Sequence, residues 1–214
     1  MSTHVPSKVN PIYIAQVEAR KSTVAANAQA RFAAIKVALD PLTPDFDKRL
    51  AVIATMPGSR KKKMAAFLEL VSDMRKVASP FIACKKGCSA CCYQRVVIST
   101  LEADLISAKT GRMAKIVITG APVKPEEEFG KSTPCSFLDS HGECSIYEYR
   151  PYMCRNFVTL DVDNLLCQPE NIELAAEKHP ATTGIPLLTP GPLGVLYGQI
   201  TKGDALNDIR AIFP

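Results

Sequence analysis

Tryptophan is missing from this chain, histidine occurs three times, and no cysteine precedes residue 84. No apolar stretch approaches the roughly 20 residues needed to cross a bilayer, so a membrane-spanning protein is not expected. The segment from Met1 to Ala28 lacks the continuous apolar run of a secretory leader. A cytoplasmic location follows, where thiols stay reduced. The fingerprints of a P-loop, a Rossmann turn and a serine-nucleophile elbow are also lacking. Gly191-Pro192-Leu193-Gly194 is too short and too broken by proline to cradle a phosphate. No general base, nucleophile or cofactor loop stands out.

In bulk the chain is ordinary. Hydrophobic residues make up 47% and charged residues 22%, which suits a globular protein that needs no disulfides to fold. Its 214 residues can build one sizeable core or two small ones. The net charge of +5 is unevenly spread: residues 1–83 hold 13 Lys and Arg against 6 Asp and Glu, and the remainder holds 13 against 15. A basic N-terminal part can meet an acidic protein partner. The run Arg60-Lys61-Lys62-Lys63 has no interleaved aromatics, so a nucleic-acid site is not expected there.

All eight cysteines fall between 84 and 167. Four of them, Cys84, Cys88, Cys91 and Cys92, sit within nine residues, a density that no packing requirement explains. Cys135, Cys144, Cys154 and Cys167 follow. Disulfide pairing is one use for eight cysteines, but the missing leader, the vicinal Cys91-Cys92 pair and the x₃/x₂ spacing favour metal. Thiolates are preferred ligands for zinc and for iron–sulfur clusters such as [4Fe–4S]. One tetrahedral zinc or one such cluster uses four thiolates, so eight allow two sites, or one site with four further cysteines behind it. Adjacent Cys91 and Cys92 cannot both face one site easily, because neighbouring side chains diverge. The expected primary set is Cys84, Cys88, Cys91 and Cys154. Arg150 and Arg155 flank the cysteines and can donate hydrogen bonds to sulfur. His141 also lies between two cysteines, in an Asp-Ser-His-Gly turn that reads as a hairpin loop.

Around this centre the pattern is mostly helical. Val17, Val24, Ala28, Phe32, Ile35 and Leu39 recur at helical spacing and predict one long helix from Ile12 to about Leu39. Asp40-Pro41 ends it. Thr43 is expected to cap a helix from Pro44 to Thr55, with Phe46, Leu50 and Ile53 on one face. Ser59 is expected to cap a third, Arg60 to Ala78, with the stripe Met64, Phe67, Leu68, Val71 and Met74. A strand over 94–98 precedes a capping box, Ser99 with Glu102, and a helix that closes at Gly111. Pro125 followed by Glu126-Glu127-Glu128 suits a helical first turn. Arms around the loop at 139–143 predict a β hairpin that sets Cys135 beside Cys144. Short helices are expected around Cys154 and over 171–178, a loop from Pro180 onward, and a last helical turn within 204–213. The reading is mainly α with a small β hairpin: a helical N-terminal part (1–80) packed on a metal-bound cysteine-cluster core (81–170), then a loop-rich C-terminal extension (171–214).

The pattern Cys84-x₃-Cys88-x₂-Cys91-Cys92, then Cys135-x-Phe137-Leu138, then Cys144-Ser145-Ile146-Tyr147-Glu148-x-Arg150-Pro151-x-x-Cys154-Arg155 resembles the YkgJ-type cysteine-cluster family, also described as a CxxCxxCC zinc- or iron-chelating domain. The resemblance covers residues 84–155 and extends toward Cys167. It implies metal binding without a settled reaction. The same cluster occurs in proteins resembling flagellin lysine-N-methylase, and some members are labelled Fe–S oxidoreductases, so an iron–sulfur oxidoreductase or protein N-methylase is the alternative reading. Cys84-x₃-Cys88-x₂-Cys91 also matches the spacing of radical S-adenosylmethionine enzymes, but too few residues and strands follow for their βα barrel.

Overall fold

The computed structural model describes residues 7–116, 133–188 and 191–214. The acidic cluster Glu126-Glu127-Glu128 lies outside the described residues.

The predicted first helix is two: α1 (Pro11–Arg20) and α2 (Val24–Leu39). Ser22 and Thr23 donate their hydroxyls to the carbonyls of Ala19 and Arg20, a local bond that competes with helix continuation. The break frees Arg20 to reach Asp161 at 2.5 Å and Asp163 at 2.8 Å. A 3₁₀ turn (Asp40–Leu42) joins α2 directly to α3 (Thr43–Thr55). Thr43 is therefore inside the helix rather than its cap; its hydroxyl bonds back to Leu39 O.

The central element is α4 (Arg60–Ala78), capped by the Ser59 side chain at Lys62 N. Met64, Phe67, Leu70 and Val71 line its buried side, and α3, α5 (Thr100–Thr110), α6 (Tyr152–Asn156) and α8 (Pro192–Ile200) pack around it. Three of the four basic residues at its start are engaged within the molecule. Arg60 binds Ile200 O and Asp204, Lys61 pairs with Asp104, and Lys63 donates to Ala54 O.

The helix α8 occupies a stretch whose prolines and glycines predict a loop. Pro192 takes the first helical position, where a missing N–H costs nothing, and Leu193, Leu196 and Ile200 fall on one buried face. The 204–213 segment is also more than a helical turn. Strand β2 (Leu206–Asp208) pairs antiparallel with β1 (Val97–Ser99) and runs into α9 (Ile209–Ile212). This two-stranded sheet is the β element among the described residues. The expected hairpin at 135–147 is reduced to one bridge, Leu138 with Cys144, around the turn at 139–143. The short helix expected over 171–178 is α7 (Pro169–Ala176). No described helix is long and apolar enough to cross a membrane.

The capping box at α5 forms as read, and its acidic member does more. Glu102 is buried. One carboxylate oxygen accepts from Ser99 N, Ser99 Oγ and, at 2.6 Å, Tyr197 Oη on α8. The other accepts from Tyr152 N at 2.7 Å, the first residue of α6. Both oxygens face donors, so Glu102→Gln must turn an amide N–H₂ toward one of them. We expect this variant to lose about 2 kcal/mol of stability, measured by urea unfolding, although its shape is unchanged.

Candidate metal centre

The first cysteine loop is built from two tight turns. Cys88 N donates to Lys85 O, with Gly87 between them at φ +87°, a conformation that other residues rarely adopt. Cys92 N donates to Ser89 O, opening a 3₁₀ turn over Ala90–Tyr93. Consecutive side chains on such a turn point about 120° apart, yet Cys91 and Cys92 both face the first cavity and bond to each other, contrary to the expectation that neighbours cannot share a site. The second group is brought in by separate elements. Cys135 N binds Cys92 O at 2.7 Å, and the turn at 139–143 folds Cys144 back beside it. Cys154 rides on α6, and Cys167 closes the 3₁₀ turn Leu165–Cys167. Gln94 Nε2 donates to Cys167 O, and Asn164 Nδ2 reaches Cys88 Sγ at 3.6 Å.

All eight cysteines line two adjoining small cavities. The first, about 30 Å³, is walled by Cys88, Cys91, Cys92, Cys135, Cys144 and Cys154. The second, about 20 Å³, is walled by Cys84, Cys88, Cys91, Cys154 and Cys167. Cys88, Cys91 and Cys154 belong to both. The four residues of the expected primary set all face the second cavity. No histidine or carboxylate lines either one; His141 is an exposed member of the 139–143 turn, its amide bonded to Asp139. All eight thiols are free, and among the described residues no three potential ligands already stand in a coordinating arrangement.

The electrostatics are those of a closely packed thiol group. Burial pushes Cys135 up to about 11 and Cys167 up to about 12, and raises Cys84, Cys144 and Cys154 as well. Cys91 moves the other way. Cys92 donates its S–H to Cys91, and the guanidiniums of Arg150 and Arg75 favour the thiolate there; Cys92 is raised by the same bond. Arg150 lines both cavities, held by its bond to Tyr147 O and by stacking 3.6 Å over the Tyr147 ring. Arg155 lines neither. Its guanidinium binds Ser72 Oγ, Glu148 O and Arg150 O, fastening the Arg150 backbone to α4.

Sequence reading missed three groups near the thiols. Arg75 of α4 walls the second cavity. Asn164 touches Cys88. Arg210 of α9 binds Asp208, Thr133 O and Gln94 O and faces Cys135 electrostatically. Each comes from a different part of the chain, and only the basic residues near the end of a helix leading into the cysteines hinted at one of them.

The chemistry fits a thiophilic metal: every potential ligand lining the cavities is sulfur, with cations nearby to offset thiolate charge. In metal-free protein, Cys91 should be alkylated at lower pH than Cys84, Cys144 and Cys154, because its thiolate is favoured and theirs are not; Cys135 and Cys167 should resist until strongly alkaline pH. Peptide mapping after brief iodoacetamide treatment at stepped pH reads this order.

No curated protein and no solved structure matches the chain. Residues 83–177, just under half of its length, match the family model described as "CxxCxxCC: Putative zinc- or iron-chelating domain". That span contains every cysteine and the turns and helices that carry them. The cysteine-rich part of this chain is thus similar to the CxxCxxCC family.

Proposed function

We propose that the protein binds two metal ions side by side, each held by four cysteine thiolates, and that both are zinc. The observation that carries this reading is the division of all eight cysteines between two cavities that share a wall. Cys92, Cys135 and Cys144 face only the first, and Cys84 and Cys167 only the second. One of the shared cysteines completes the first set, and the other two complete the second. Every thiol is then used once.

Cavity size supports single ions. A void of 20–30 Å³ has room for one ion at the roughly 2.3 Å sulfur distances that zinc takes. Four thiolates around each divalent ion leave excess negative charge, and buried charge must be offset. Arg150 stands between the two sites and Arg75 borders the second. When bound, zinc supplies a closed cross-link rather than a reactive position. The protein's own residues hold the loop at 84–92, the turn at 139–143 and α6 close enough for that cross-link to form.

Protein purified without oxygen should contain two zinc ions per chain and be colourless. Cys144→Ser, Cys84→Ser and Cys154→Ser should each retain about one ion, since every thiolate belongs to a single set. Elemental analysis with an absorption spectrum checks this. A brown protein with acid-labile sulfide, or one ion per chain, would overturn the reading. Stripping the metal with a chelator should lower the melting temperature by roughly 10 °C, since binding energy is folding energy for such a core.

A further inference from the structure

A third cavity lies beside the cysteine centre, on the other side of Arg75. Its volume is about 310 Å³, at the lower end of the range of small-molecule sites. Phe32, Ile35 and Leu39 of α2 form one wall and Val71, Met74 and Ala78 of α4 another. Its lining is predominantly apolar, and Phe32 is left half exposed at 51%. An apolar hollow of this size is costly to keep unless something fills it, because its walls forgo contacts that close packing would supply.

The charged groups in the wall are unbalanced. Lys36 and Asp40 answer each other at 3.1 Å. That leaves Arg75 and Arg155. Arg155 spends its guanidinium on Ser72 and two backbone carbonyls. Arg75 makes one bond, to Arg155 O at 3.1 Å, and no carboxylate among the described residues pairs with it. A guanidinium with donors to spare, at the edge of an apolar hollow, matches a carboxylate in geometry as well as sign. Arg75 also sits in the last turn of α4, where the helix dipole is negative. A single anionic charge suits that position better than a phosphate dianion.

We propose that this cavity binds a small carboxylic acid with an apolar body, its carboxylate on Arg75 and its body between α2 and α4. Its lining contains no cysteine, but it shares Arg75 with the second cysteine cavity, so binding is compared with and without metal.

The test is a titration of the full chain, with and without metal, by octanoate, octan-1-ol and octylamine, followed by NMR or calorimetry. Octanoate should bind saturably, octan-1-ol about tenfold more weakly, as expected for loss of one charge-assisted contact, and octylamine not at all. Arg75→Met should bring octanoate down to the affinity of octan-1-ol. Phe32→Ala, at a half-exposed position where folding is not at risk, should weaken both ligands. Ala78→Phe, which fills the hollow, should abolish binding while leaving the circular dichroism spectrum unchanged. Absence of saturable octanoate binding, equal affinity for the alcohol or the amine, or no effect of Arg75→Met and Phe32→Ala would overturn the proposal.

Discussion

A single buried carboxylate holds together the elements on which the cysteine centre rests. Glu102 caps its own helix through Ser99, receives the first amide of α6, and receives the hydroxyl of Tyr197 from α8. These partners lie 50 and 95 residues away in sequence. Around the carboxylate, Phe67, Tyr152 and Tyr197 stack with ring centroids 4.6–6.2 Å apart, so the polar knot is sealed by aromatic surface. Because α6 starts at Tyr152 and carries Cys154 two residues on, the position of a shared cysteine is set by a bond made outside both cysteine cavities.

The thiol group poses a charge problem that the fold answers with arginines drawn from separate elements. Arg75 comes from α4, Arg150 from the turn before α6, and Arg210 from α9. Each is oriented by bonds to backbone carbonyls: Arg75 to Arg155, Arg150 to Tyr147, and Arg210 to Thr133 and Gln94. Carbonyl partners fix a guanidinium in place without cancelling its charge. Arg75 and Arg150 therefore remain available to thiolates, whereas the charge of Arg210 is met by Asp208 and that of Arg20 by Asp161 and Asp163.

What could be read from the sequence was local. The caps at Ser59 and Ser99 and the Gly111 stop depend on residues three or four apart and appear where the spacing placed them, while the α4 face is only partly as read, with Leu70 fully buried and Leu68 and Met74 partly so. The cysteines declared themselves by density alone. The pieces that could not be read are those fixed by distant partners. Leu206 to Asp208 form a strand because β1 is there to pair with. Pro192 to Ile200 form a helix because α4 offers an apolar face, although the proline and glycine content suggested otherwise. The same holds for Arg75, which in sequence is one more cation on an amphipathic helix. Arg155 shows the converse: adjacency to Cys154 in the chain placed it at the backbone, away from both cysteine cavities.

The pairing of β2 with β1 has a bearing on the order in which the molecule can be assembled during synthesis. Ile209 forms part of the wall of the first cysteine cavity, and Phe213 packs edge-on against Phe137, two residues from Cys135. These residues leave the ribosome more than a hundred residues after the loop at Cys84–Cys92. Until they arrive, the thiols nearest Cys135 lack one side of their enclosure. A nascent chain thus presents its cysteines open to the solvent and to oxidants, and their enclosure is completed only once translation has passed residue 213.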